Sequence, residues 1–234
     1  SQVRSAPAPD AEPAASPAPP PSDPVVQTHM KVHFAKGAAV RDAIAMGDLA
    51  AARTGFTALA EHPMVTGLPE GTAPLVAGFQ DAARAGAKAG DTSTQARALA
   101  DTARACGGCH ALVGARPTWE VPDAPPRDPG VRPHMARHAW AVDRMYEGLV
   151  GPTEGSWSQA AAILNDHALD EAVLPSGTDL SPVAEAAGAR LHALGKEALA
   201  AETPEARGEL FAEALSTCAT CHAAAGVGKT APPR

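Results

Sequence analysis

All four cysteines of this 234-residue chain fall in two copies of one five-residue motif, Cys106-Gly107-Gly108-Cys109-His110 and Cys218-Ala219-Thr220-Cys221-His222. Cys-x-x-Cys alone fits half a zinc site or a redox dithiol. Neither requires a histidine directly after the second cysteine, and neither explains a perfect repeat with no thiol left over. Cys-x-x-Cys-His is the attachment signature of a c-type haem, in which two thiols on one helical turn bond the porphyrin and the adjacent imidazole faces the iron. The expectation is therefore two covalently attached haem c groups. Cys106, Cys109, Cys218 and Cys221 would be the anchors, and His110 and His222 the proximal iron ligands.

Composition agrees with a core built around large prosthetic groups. Aromatic residues make up 3% of the chain, against 45% hydrophobic residues overall, so much of the apolar content is small side chains and a conventional core would be thin. The formal charge of −7 argues against nucleic acid as a partner. No apolar run approaches the roughly 18 residues of a membrane span, so no transmembrane segment is expected. Attachment of haem c outside the bacterial cytoplasm implies a periplasmic or exported chain whose export signal has already been removed.

Residues 1–24 are rich in Pro and Ala and read as an extended tether. Tethers of this kind often follow lipid-anchored N-termini, so association with a membrane, through such an anchor or a partner complex, is a further expectation. A second Pro-rich stretch over 116–131 reads as a linker between haem domain 1 (25–115) and haem domain 2 (132–234). The halves repeat each other. His29-Met30-x-x-His33 returns as His134-Met135-x-x-His138, and His62 returns as His167, both shifted by 105 residues; the cysteine motif returns shifted by 112. Only His192 of the nine histidines has no counterpart, and it reads as a surface residue.

Each half carries four helical signals. Apolar residues recur at three- and four-residue steps over Val32–Met46 and Ala136–Val150, and turns at Gly47-Asp48 and Gly151-Pro152-Thr153 lead into second helices ending near His62 and His167. Third helices are expected over Ala73–Lys88 and Pro182–Ala201. Thr92-Ser93 and Thr203-Pro204 look like caps of fourth helices that end in the cysteine motifs. The expected class is all-α, with each half an up-down-up-down bundle. That topology brings the start of helix one, the end of helix two and the end of helix four to one end, so His29, Met30, His33, His62 and the first motif should converge.

This pattern resembles the cytochrome c′ and cytochrome c556 family of four-helix bundles, with Cys-x-x-Cys-His at the end of the fourth helix and each half matching one family unit. The resemblance implies that the far side of each iron faces a side chain on helix one: an apolar residue in cytochromes c′, a ligating methionine in the c556 type. Met30 and Met135 precede Gly47 and Gly151 by about four and a half helical turns, close to the family's spacing. Val26 and Val131 stand one turn earlier, where the family usually has a basic residue. Met30 and Met135 rank first as distal ligands, His33 and His138 second, and His29 and His134 third. The bland alternatives are methionines that fill space around a haem and histidines at its edge. For His62 and His167 a helix-capping role is expected.

The functional expectation is an electron-transfer protein, or the electron-transfer subunit of a larger redox complex held through the N-terminal tail. Formal balances of +1 for 25–112 and −5 for 132–234 suit docking of the second half to a basic redox partner. A gas-binding (NO or CO) protein with an open iron site is the alternative. No acid–base constellation is visible, so an enzyme is not expected, and a dihaem oxidoreductase is a third class.

Overall fold

The computed structural model describes residues 24–166 and 181–227. The tether up to residue 23, His167 and the last seven residues lie outside this range. Among the described residues the chain is all-helical: α1 (Pro24–Ala45), α2 (Leu49–Ala60), α3 (Ala73–Lys88), α4 (Thr92–Leu112), α5 (Val131–Val150), α6 (Glu154–Leu164), α7 (Pro182–Leu199) and α8 (Pro204–Ala224).

Local chemistry sets most of these boundaries. Asp48, Asp91, Ser181 and Thr203 accept hydrogen bonds from Ala51, Thr94, Ala184 and Ala206, capping α2, α4, α7 and α8. The cap of α4 is thus Asp91, one residue before the expected Thr92-Ser93. Prolines 182 and 204 sit in the first turns of α7 and α8, where a missing N–H costs nothing. Both motif helices stop in the same way. Gly114 and Gly226 adopt φ near +67°, and the following residues donate back to the carbonyls of His110 and His222 (Ala115 N to O 2.8 Å, Val227 N to O 2.8 Å). This terminator repeats at the 112-residue shift of the cysteine motif. α1 and α5 begin earlier than their apolar periodicity suggests, because apolar residues of their first turns, Val25 and Val131 among them, stay exposed while the backbone is already helical.

Within each half, successive helices run antiparallel. Lys36 Nζ reaches the Ala58 carbonyl and Val40 meets Gly55, while Arg53 donates to the Ala89 carbonyl and Phe56 covers Gly86. In the second half Trp157 packs on Gly148 and donates to the Ala198 carbonyl, and Arg190 pairs with Glu213. The two halves also pack closely on each other. α4 lies along α8 and beside α5, α1 meets α8, and Arg41 on α1 bonds Asp143 on α5 at 2.8 Å. One apolar core therefore runs through both halves, from Val40 and Phe56 to Trp157 and Phe211. Phe56, Trp157 and Phe211 are the largest fully buried side chains; burying such a side chain contributes about 1.5–3 kcal/mol, far more than any of the surrounding alanines.

The Pro-rich segment after α4 is strapped to the body. Trp140 donates to the Pro122 carbonyl and Arg137 to that of Pro125. Trp119 lies against Phe34, ring centroids 5.4 Å apart, and against Gly151.

Candidate functional site

Both cysteine motifs occupy the last turns of α4 and α8. A spacing of three residues sets the two thiols of each motif on one helical face. No cysteine is in a disulfide. Burial pushes the Cys106 and Cys218 thiols up to about 12, and raises Cys109 and Cys221 as well. A working redox dithiol needs a depressed thiol pKa, so this environment is the opposite of what that reading requires.

The histidines of the motifs are held in matching ways by the other half of the molecule. His110 Nδ1 lies 2.6 Å from the carbonyl of Val150, the last residue of α5. His222 Nδ1 lies 2.8 Å from the carbonyl of Ala45, the last residue of α1. Ala45 and Val150 are themselves related by the 105-residue shift. A carbonyl only accepts, so Nδ1 carries the proton in each ring and Nε2 keeps its lone pair. Burial lowers the pKa of His110, opposed by this same hydrogen bond, and the ring is neutral near pH 7.

The same contact explains why the middle residues of the motifs differ. A Cβ on Gly107 would sit 2.2 Å from the Leu149 carbonyl oxygen, so α4 approaches the end of α5 more closely than any side chain permits. At the matching place in α8 stands Ala219, whose Cβ is 3.9 Å from where a Cβ on Gly47 would lie. There the room comes from the turn after α1.

The remaining histidines gather into two groups of three. His29 and His33 project from one face of α1, and His62 follows the end of α2; their ring centroids are 4.3 to 4.9 Å apart. His33 Nε2 is 3.1 Å from His62 Nδ1, and Phe79 stacks on the His33 ring at 5.1 Å. In the second half His134 and His138 from α5 meet His192 from α7, with centroids 4.2 to 5.5 Å apart. In each group the three candidate donor atoms lie within 4.8 Å of one another.

The structure thus brings His29, His33 and His62 together, and His134 and His138 likewise. His192 does not stand on the surface: it is half-buried, and its Nδ1 donates to the Leu164 carbonyl at 2.5 Å. The signal for this lay in its spacing. Gly188, His192 and Gly195 fall on one stripe of α7, beside the buried Leu191 and Leu194. Met30 and Met135 are half-buried and lie outside the apolar core. Like His134, His33 and His138 are buried, each 7% exposed. Their pKa values are depressed, His33 to about 4, by burial first and by the neighbouring imidazoles next. Among the facing charges, Lys36 lowers His33, and His222 and Arg137 lower His138. The influence of His222 on His138 sets the second motif near the second histidine group.

No family model matches this chain, and no curated protein or solved structure does either. What the site does rests on its own chemistry. No described helix is long and apolar enough to cross a membrane.

Proposed function

We propose that the chain is a dihaem c-type cytochrome, two four-helix units of cytochrome c′/c556 type joined back to back, that carries electrons between redox partners outside the cytoplasm. The observation that carries this reading is the pair of matched hydrogen bonds from His110 Nδ1 to the Val150 carbonyl and from His222 Nδ1 to the Ala45 carbonyl. A histidine that ligates a metal through one nitrogen characteristically donates the other N–H to a carbonyl or carboxylate, which fixes the tautomer and the ring orientation. Both motifs meet that condition, and both offer paired, protonated thiols one turn away. The residues present fit the group.

In this reading Cys106, Cys109, Cys218 and Cys221 hold the porphyrins covalently, and His110 and His222 are the proximal ligands. When bound, each haem supplies one-electron Fe(II)/Fe(III) chemistry. The chain's own contribution is to hold each imidazole at a fixed orientation and to exclude water with the shared core. Met30 and Met135 are the first candidates for the sixth position, with the neighbouring histidines behind them. The more acidic second half suits a basic partner protein, and the N-terminal tether suits attachment to a membrane or to a partner complex.

A gas-binding protein is the second reading, favoured by the half-buried setting of Met30 and Met135 outside the core. One experiment separates the two. The full chain is produced in a host that matures c-type haem, and its reduced spectrum is recorded with and without CO. Two haems retained after denaturation and a spectrum unmoved by CO are expected. CO binding at either haem would instead support gas binding there, and absence of covalent haem would sink the whole proposal.

A further inference from the structure

We infer that each three-histidine group is a binding site for a divalent transition-metal ion, of the class that prefers imidazole, distinct from the cysteine motifs and independent of the haem reading. The first site comprises His29, His33 and His62, the second His134, His138 and His192.

The donor geometry is close to what such an ion needs. Zinc–imidazole bonds of about 2.0–2.1 Å in a tetrahedron put donor atoms roughly 3.3 Å apart. His33 Nε2 and His62 Nδ1 lie 3.1 Å apart in a hydrogen bond, with His62 Nδ1 also 3.1 Å from the Pro63 carbonyl, so a metal would displace a proton there. All the candidate donors lie within 4.8 Å of one another. Small χ rotations of two rings close the rest. Nε2 of His29 and of His138 are buried without a hydrogen-bond partner, an arrangement that costs stability when nothing binds there.

The second argument comes from how the two sites are assembled. In sequence the counterpart of His62 is His167, which lies outside the described residues. Among the described residues the third imidazole of the second site is His192, from α7, so in both halves an i, i+4 histidine pair at the start of one helix meets a histidine from another element. His192 Nδ1 donates to the Leu164 carbonyl, the kind of bond that fixes the tautomer and ring orientation of a metal-binding imidazole.

The donor chemistry narrows the ion. Among the described residues each group offers three imidazoles, with no carboxylate or thiol among the donors. Hard cations such as Ca²⁺ and Mg²⁺ select oxygen, whereas Zn²⁺, Cu²⁺ and Ni²⁺ suit imidazole. Three protein donors leave a fourth position for water or a small anion.

The test uses the full chain as purified with its haems, stripped with a chelator and then dialysed against micromolar Zn²⁺. Zinc and iron are counted per chain by elemental mass spectrometry. Two zinc ions are expected. His62→Ala should leave one, His192→Ala should leave one, and the double variant none, with far-UV circular dichroism unchanged. His62→Gln, which keeps the side chain's bulk, should lose the same zinc. Zinc content that does not respond to these substitutions overturns the inference. So does loss of a low-spin haem spectrum in His62→Ala or His192→Ala, because the imidazoles would then be serving iron. Iron content reports the haem reading separately: a chain without iron that binds two histidine-dependent zinc ions leaves the present inference standing and removes the other.

Discussion

At the scale of single residues, the most unusual charge in the molecule is Glu147. It is buried on α5 beside Arg144, with which it pairs, and Asp143 and Arg41 also face it. Burial is the largest influence and raises its pKa to about 7, against the pull of Arg144. A carboxyl group whose folded pKa lies above its unfolded value makes its full contribution to stability below about pH 4.5, and loses it as pH rises through about 7. Glu147→Gln should therefore become progressively more favourable relative to the parent between pH 5 and pH 8, by denaturant midpoints at fixed ionic strength. A variant that loses ground over the same interval would mean that the ionised pair with Arg144 outweighs the cost of burial. None of this was legible in the sequence, where Glu147 is one acidic residue among many; its environment comes from the packing of α5 against the other half. The cysteine motifs were legible because their chemistry is local. For His192 only the helical stripe was legible; its neighbours, from α5 and the end of α6, were not.

At the scale of elements, the helices were readable to within a few residues wherever a cap or a proline marks the boundary, as at Ser181-Pro182 and Thr203-Pro204. The starts of α1 and α5 were missed because apolar periodicity reports burial, and their first turns are largely exposed. Glycines within helices separate local propensity from packing. In α3, Gly78 is exposed and a Cβ there meets nothing within 4 Å, while a Cβ on Gly86 would lie 2.6 Å from the Phe56 ring. Gly78→Ala should stabilise the protein by about 0.5–1 kcal/mol, the usual gain in an open helical position. Gly86→Ala gains the same propensity but must displace a fully buried phenylalanine, and overpacking of that kind typically costs about 1–3 kcal/mol. Thermal or urea denaturation of the two variants should move in opposite directions. Movement in the same direction would mean that the α2–α3 contact yields more easily than the spacing implies.

At the scale of the whole molecule, duplication suggests two domains joined by a linker, and the packing ties those halves to each other. Each motif histidine donates its Nδ1 proton to a carbonyl of the opposite half. Arg41 crosses to Asp143, α4 and α8 share a long interface, and the apolar core is continuous. The sequence could not reveal this, because these contacts join residues 40 to 177 positions apart. Gly107 sits at the tightest point of the junction, 2.2 Å from the Leu149 carbonyl oxygen for any added Cβ. Backbone has little freedom to move aside, so Gly107→Ala must push α4 away from α5 and lengthen the bond from His110 to Val150. A destabilisation of about 1–3 kcal/mol is expected on packing grounds. Because one core spans both halves, it should appear as a single calorimetric transition shifted to lower temperature, with both halves unfolding together. A variant in which one half melts early while the other keeps its original midpoint would show that the halves are independent, and that the crossed carbonyls hold nothing in common.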